Sequence, residues 1–149
     1  PVQVIWQTGK YYEREMQEFL SAHPTKNIWQ GAFIERMDYA YTAADVVLSR
    51  SGACTVSELC LVAKPVIFVP SPNVAEDHQT KNAMALAEKG AAEIVRDNEA
   101  ITHGMKEAVA LAKDEMRCER LSRNIAGLAI SDSSERVVRE IEKVLNGTI

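Results

Sequence analysis

The chemistry in this chain concentrates in Ser49-Arg50-Ser51-Gly52-Ala53-Cys54-Thr55-Val56-Ser57-Glu58. Ser51, Gly52, Ala53 and Cys54 make a small-residue turn that follows an apolar run, Val46-Val47-Leu48. After the turn, apolar residues at 56, 59, 60 and 63 fall on one helix face. A turn of this kind leaves backbone N–H groups at the helix start without intrahelical partners and puts the positive end of the helix dipole there. The guest it suits is a phosphate. Glu58 follows about one helical turn inside the start, opposite the apolar stripe. A carboxylate there could accept hydrogen bonds from both hydroxyls of a ribose whose phosphates rest on the turn. The plainer alternatives stand beside this. Glu58 also suits a solvated acid near a helix N-terminus, and Ser51 and Gly52 also suit cap and turn residues.

Other candidates point to less. Lys10 follows Thr8-Gly9 but lacks the phosphate-loop pattern, and reads as a surface lysine. Tyr11, Tyr12 and Trp29 read as core or rim aromatics. Cys54, Cys60 and Cys118 form no paired motif, and His23, His78 and His103 are scattered, so we expect no metal site and free thiols in a reducing cytoplasm. The formal charge of −4 argues against nucleic acid as a partner. No apolar run approaches the roughly 18–20 residues needed to span a bilayer, and no basic region precedes the first apolar residues. The chain opens with Pro1 and enters a strand-like run at once, which reads as a piece of a longer protein.

These residues need a scaffold, and the pattern supplies one. Strands are predicted at 2–6, 27–30, 45–49, 66–69 and 92–95, alternating with helices that end at His23-Pro24, Ala43, Lys64-Pro65 and Gly90. Helices are then expected over 99–112 and 115–128. A last one is introduced by Asp132-Ser133-Ser134-Glu135, which has the form of a capping box. At 149 residues the chain fits one domain, incomplete at its N-terminus, of the α/β class. We expect a Rossmann-like parallel sheet with helices on both faces and right-handed crossovers, ending in C-terminal helices. Ligands gather at the carboxyl ends of such strands. Here those ends carry Thr8-Gly9-Lys10, Gly31-Ala32-Phe33-Ile34, Arg50-Ser51-Gly52-Ala53 and the loop 70–79.

The motifs, in order, resemble a known family. Phe33-Ile34, Ala44-Asp45-Val46-Val47, Arg50-Ser51-Gly52-Ala53-Cys54-Thr55-Val56-Ser57-Glu58-Leu59 and Pro65-Val66-Ile67-Phe68-Val69-Pro70 are followed by Asp77-His78-Gln79-Thr80-Lys81-Asn82-Ala83, Gly90-Ala91-Ala92 and Asp132-Ser133-Ser134-Glu135-Arg136-Val137. Together they are similar to the carboxyl-terminal, nucleotide-sugar-binding half of the MurG family of bacterial glycosyltransferases. The similarity covers essentially the whole chain. It implies one half of a two-domain GT-B fold, with UDP-N-acetylglucosamine as donor. By the same resemblance Ile34 meets the uracil edge through its backbone with Phe33 beside it, and Glu58 binds the ribose hydroxyls. Ser51, Gly52, Ala53 and Cys54 form the helix-start loop near the diphosphate and sugar, and Gln79, with His78 before it, reaches the sugar hydroxyls. A first glycine-rich loop of the family would precede Pro1, and position 78 is His where some members carry Gln.

The resemblance further implies an inverting transfer of N-acetylglucosamine to an undecaprenyl-diphospho-muramoyl-pentapeptide, converting lipid I to lipid II in peptidoglycan synthesis, without a cofactor. The catalytic base would lie in the other domain, so no residue of this chain is expected to be catalytic, and the chain alone should be inactive. Acceptor and membrane contacts would also belong to that domain, with the parent enzyme peripheral on the cytoplasmic face of the inner membrane. Rival readings are another UDP-sugar GT-B transferase, such as a diacylglycerol glycosyltransferase, a split-enzyme donor subunit that needs a membrane partner, and a non-enzymatic interaction module.

Overall fold

The computed structural model describes residues 2–72 and 77–147, and its backbone divides into two compact units, Pro1–Ala44 and Asp45–Ile149. The first unit runs β1 (Val4–Gln7), α1 (Gly9–Ala22), β2 (Ile28–Gly31) and α2 (Met37–Ala43). β1 and β2 are parallel, with Val4 opposite Ile28 and Gln7 opposite Gly31. Gly9, at φ +74°, lets the chain pass straight from β1 into α1, a conformation that an L side chain resists. The N–H groups of Thr8 and Gly9 extend the ladder to the carbonyls of Gly31 and Ala32, at 3.0 and 3.1 Å. Gly31 has a steric reason as well: a Cβ there would stand 2.8 Å from the Trp29 indole, which lies over it. No residue of 2–44 is buried, so Tyr11, Tyr12 and Trp29 are surface aromatics and not core.

The second unit runs β3 (Val47–Ser49), α3 (Ala53–Val62), β4 (Val66–Phe68), α4 (His78–Ala87) and β5 (Glu93–Ile94). Helical segments follow: α5 (Asp97–Glu99), a π-helical turn (Ala100–Gly104), α6 (Met105–Leu111), α7 (Glu115–Ala126) and α8 (Ser133–Leu145). The three strands form a parallel sheet in the order β3-β4-β5, with Ser49 opposite Phe68 and Phe68 opposite Ile94. The expected parallel α/β class is what the chain adopts, with the pairing in two hydrogen-bonded sets, β1-β2 and β3-β4-β5.

β4 is the central strand, and Val66, Ile67 and Phe68 are all fully buried, the signature of a strand covered on both faces. Ile67 and Val69 point to one side, where they cluster with Val95, Leu111 and Leu121 from β5's end, α6 and α7. Arg117 ties α7 to β5 through a two-pronged ion pair with Glu93, both N···O distances 2.6 Å. α3 packs on α4 and α7 through a face that buries Leu59 and Cys60.

Two local expectations change. The helix expected over 99–112 is interrupted by the π-helical turn. There Thr102 Oγ1 donates back to the Glu99 carbonyl at 3.1 Å, competing with the helical ladder, and Gly104 adds a weak helix former. The capping box at 132–135 does not form. The Asp132 carboxylate accepts instead from Arg136 Nε at 2.8 Å and Arg139 Nη2 at 3.4 Å, which holds its pKa below the ordinary carboxylate range. α8 presents Val137, Val138, Ile141, Val144 and Leu145 on its surface, all of them exposed. Among the described residues no helix is long and apolar enough to cross a membrane.

α3 ends at Ala63, which adopts the left-handed conformation (φ 56°, ψ 32°) so that its N–H can return to the Leu59 carbonyl at 3.0 Å before Pro65. That conformation costs an L residue about 1–2 kcal/mol and glycine almost nothing, against the added backbone entropy that glycine gives the unfolded chain, about 0.4–1 kcal/mol. Ala63→Gly should therefore stabilise the protein by about 0.5–1 kcal/mol, read as a midpoint shift in urea unfolding with unchanged m. A lower midpoint would contradict the strained-cap reading.

Candidate functional site

Within the second unit, parallel pairing brings the carboxyl ends of β3 and β4 and the start of α5 to one edge, which carries the 50–54 turn and residues 70–72. Gly52 is the N-cap of α3, with ordinary extended angles (φ −63°, ψ 150°) and no side chain capping the helix. The first N–H groups of α3 therefore have neither an intrahelical partner nor a side-chain cap. Among the described residues, a Cβ built on Gly52 would meet nothing nearer than Thr55 Oγ1 at 4.0 Å. Neither backbone strain nor internal packing calls for glycine here. What glycine preserves is open space directly above the helix start, as a backbone needs when a ligand must come close.

Ser51 is placed differently from its neighbours. It is fully buried, the only polar side chain so buried among the described residues. Its Oγ donates to the Gln79 carbonyl at 2.7 Å, its N–H approaches Gln79 Oε1 at 3.4 Å, and its carbonyl accepts from Asn82 Nδ2 at 3.0 Å. Gln79 Oε1 also accepts the Ser71 N–H at 2.9 Å. These two backbone donors identify Oε1 as the acceptor end of the Gln79 amide and leave its NH2 as the end available to a ligand. His78, exposed, opens α4 after Asp77, which sits in the left-handed region (φ 55°) and accepts from Thr80 Oγ1 at 2.6 Å.

Ala53, Cys54 and Glu58 are exposed on α3, with Cys54 one turn before Glu58 on the same side and away from buried Leu59 and Cys60. Burial raises the pKa of the Cys60 and Cys118 thiols, so both stay protonated over the physiological range. Arg50, whose side chain the sequence left without a role, donates through Nη1 to the Val69 carbonyl at 3.0 Å and pairs with Asp97. It thereby braces the ends of β3 and β4 and the start of α5. Asn82 carried a legible signal, since a residue three positions after Gln79 shares its helix face. Asp97 carried none, being 47 residues from Arg50.

In the first unit, Phe33 is 68% exposed after β2, an unusual position for a phenyl ring. The Ile34 N–H donates to Gln7 Oε1 at 2.9 Å, so the carbonyl is the backbone group of Ile34 suited to accept from a base N–H. Lys10 is exposed on α1. Among the described residues no group of three or more His, Cys, Asp or Glu side chains could hold a metal ion.

Known proteins carry the same pattern. The sequence family described as Glycosyltransferase family 28 C-terminal domain matches residues 1–137. A Parabacteroides distasonis protein is 52% identical over 97% of this chain and 39% of its own length. A Porphyromonas gingivalis protein is 49% identical over 97% of this chain and 38% of its own. Both are named UDP-N-acetylglucosamine–N-acetylmuramyl-(pentapeptide) pyrophosphoryl-undecaprenol N-acetylglucosamine transferase. The chain thus spans about two-fifths of the length of the curated relatives it matches. The crystal structure of Acinetobacter baumannii MurG superposes with a TM-score of 0.82 at 30% identity, over 96% of this chain and 42% of that one. The calicheamicin glycosyltransferase CalG4, at 21% identity and a TM-score of 0.73 over 98% of this chain and 36% of that one, shares the fold. The chain belongs to the glycosyltransferase family 28 C-terminal domain family, and its parallel α/β architecture is that of the MurG C-terminal domain.

Proposed function

We propose that this chain is the donor-binding part of an inverting glycosyltransferase that moves N-acetylglucosamine from UDP-N-acetylglucosamine to undecaprenyl-diphospho-muramoyl-pentapeptide. The observation that carries the reading is Gly52, a glycine with ordinary angles and open space above an uncapped helix start. Support also comes from relatives at about 50% identity that bear this transferase's name. The diphosphate rests over the first N–H groups of α3, at Gly52, Ala53 and Cys54. Glu58, one turn further, accepts from the ribose hydroxyls. Gln79 donates from its NH2 to a sugar hydroxyl oxygen, with exposed His78 beside it. In the first unit the Ile34 carbonyl accepts from the uracil N–H, next to the Phe33 ring.

Transfer breaks the bond between the anomeric carbon and the UDP oxygen while the acceptor hydroxyl attacks from the opposite face, and negative charge grows on the departing diphosphate. Fixed N–H dipoles at the α3 start stabilise that charge without reorganising, and more strongly than mobile water does. The proton of the acceptor hydroxyl goes to a base outside this chain. The chain's task is to hold and orient the donor. The acceptor and the cytoplasmic membrane face are met by the remainder of the enzyme.

Three outcomes test this reading in the full-length enzyme. Gly52→Ala should leave the unfolding free energy within about 1 kcal/mol of wild type, since no described residue comes nearer than 4.0 Å to the new methyl, yet weaken UDP-N-acetylglucosamine about tenfold or more by calorimetry. Equal affinity would remove the main support. Glu58→Ala should cost about 1–3 kcal/mol of donor binding, because the ribose hydroxyls lose a charged acceptor; an unchanged constant sinks the ribose assignment. Iodoacetamide should modify exposed Cys54 before Cys60 and Cys118, and saturating UDP should slow that modification. Labelling that UDP does not affect would place the nucleotide elsewhere.

A further inference from the structure

We propose that Gln79 is a positioning residue in its own right, apart from any contact with the donor. Its side-chain carbonyl clasps the α3 turn to the segment that follows β4. The functional consequence rests on the donor-binding reading above.

The carbonyl of a glutamine side chain has two acceptor sites. Here both are directed at backbone N–H groups from two separate loops, Ser71 at 2.9 Å and Ser51 at 3.4 Å. The Gln79 main-chain carbonyl meanwhile accepts from the Ser51 hydroxyl at 2.7 Å. One residue at the second position of α4 therefore makes three of the bonds that hold the α3 turn and the 70–72 segment in place. Asn82, on the same face of α4, adds a fourth through the Ser51 carbonyl at 3.0 Å.

That last atom matters for direction. The Ser51 carbonyl and the Gly52 N–H belong to one planar trans peptide and point opposite ways. Holding the carbonyl toward α4 aims the Gly52 N–H away from it, and the buried Ser51 cannot rotate to release it. Asn82 thus aims the first amide at the α3 start, and Gln79, bonded to the N–H and hydroxyl of the same Ser51, holds the residue that carries it. Gln79 acts on the diphosphate through the backbone, and on the sugar only through its NH2.

UDP separates the two roles, because it has no sugar for Gln79 to touch. In the full-length enzyme, Gln79→Met removes both the acceptor and the donor. Its affinity for UDP, as well as for UDP-N-acetylglucosamine, should fall about tenfold by calorimetry. Without ligand, the Ser71 and Gly52 amide signals should move in the NMR spectrum. Gln79→Glu keeps an acceptor oxygen at the Oε1 position and loses the donor, so the Ser71 amide should stay hydrogen-bonded and close to its wild-type position. This second variant also covers a Gln79→Met protein that fails to fold. Loss of UDP-N-acetylglucosamine binding with UDP binding unchanged in Gln79→Met would show a sugar contact alone and overturn the clasp. So would a Ser71 amide that shifts equally in both variants, or in neither. If wild type binds neither nucleotide, the donor-binding reading falls instead, and the Ser71 amide by itself decides the clasp.

Discussion

A serine buried to zero exposure must satisfy its hydroxyl, amide and carbonyl inside the protein, since each unpaired polar group costs about 1–3 kcal/mol. Ser51 does so almost entirely through α4, by way of the Gln79 main chain, the Gln79 side chain and Asn82. The demand is local, but its effect reaches further. It joins the end of β3, the start of α3, the segment after β4 and the first turn of α4 into one polar unit at the sheet edge. Were Ser51 exposed, water could serve those groups, and nothing would hold the turn in a single orientation.

The apolar core explains why this polar unit stays where it is. β4, buried along its whole length, sets the level of the edge, and Leu59 and Cys60 hold α3 down by the face opposite Glu58. Arg50 adds a second brace through Val69 and Asp97. Side chains that face inward thus carry the positioning, while Cys54 and Glu58 are exposed on the outer side of α3. A charge that develops on a leaving group is best met by dipoles already in place, and rigidity at this edge is what such a site needs.

Elements whose residues act through local periodicity were legible in advance. α2 over 37–43, the β3-turn-α3 unit and the termination of α1 at Pro24 follow from apolar spacing and proline chemistry. Where side chains had a choice of partner, local reading failed. Asp132 had the position of a cap, but two arginines one and two turns along α8 offered charged donors, and its carboxylate went to them. Thr102 bonded back into its own helix and opened it into a π-helical turn. Tyr11, Tyr12 and Trp29 read as core or rim and lie at the surface, because aromatic character says nothing about which neighbours arrive to cover it.

The candidate site divides in the same way. Small residues after an apolar run, a helical stripe and an acid one turn in are enough to establish a strand, a helix start and Glu58 on its outer face. Each depends on the backbone period within a dozen residues. The tertiary structure decided which members of the motif face outward and which face inward. Ser51 and Gly52 are adjacent and equally small, yet one is buried and bonded on every side while the other opens onto space. That difference comes from Gln79 and Asn82, 28 and 31 residues away from Ser51. Hydrogen bonds across that separation exist only after the sheet has brought the two helix starts to one edge, and no local pattern encodes them.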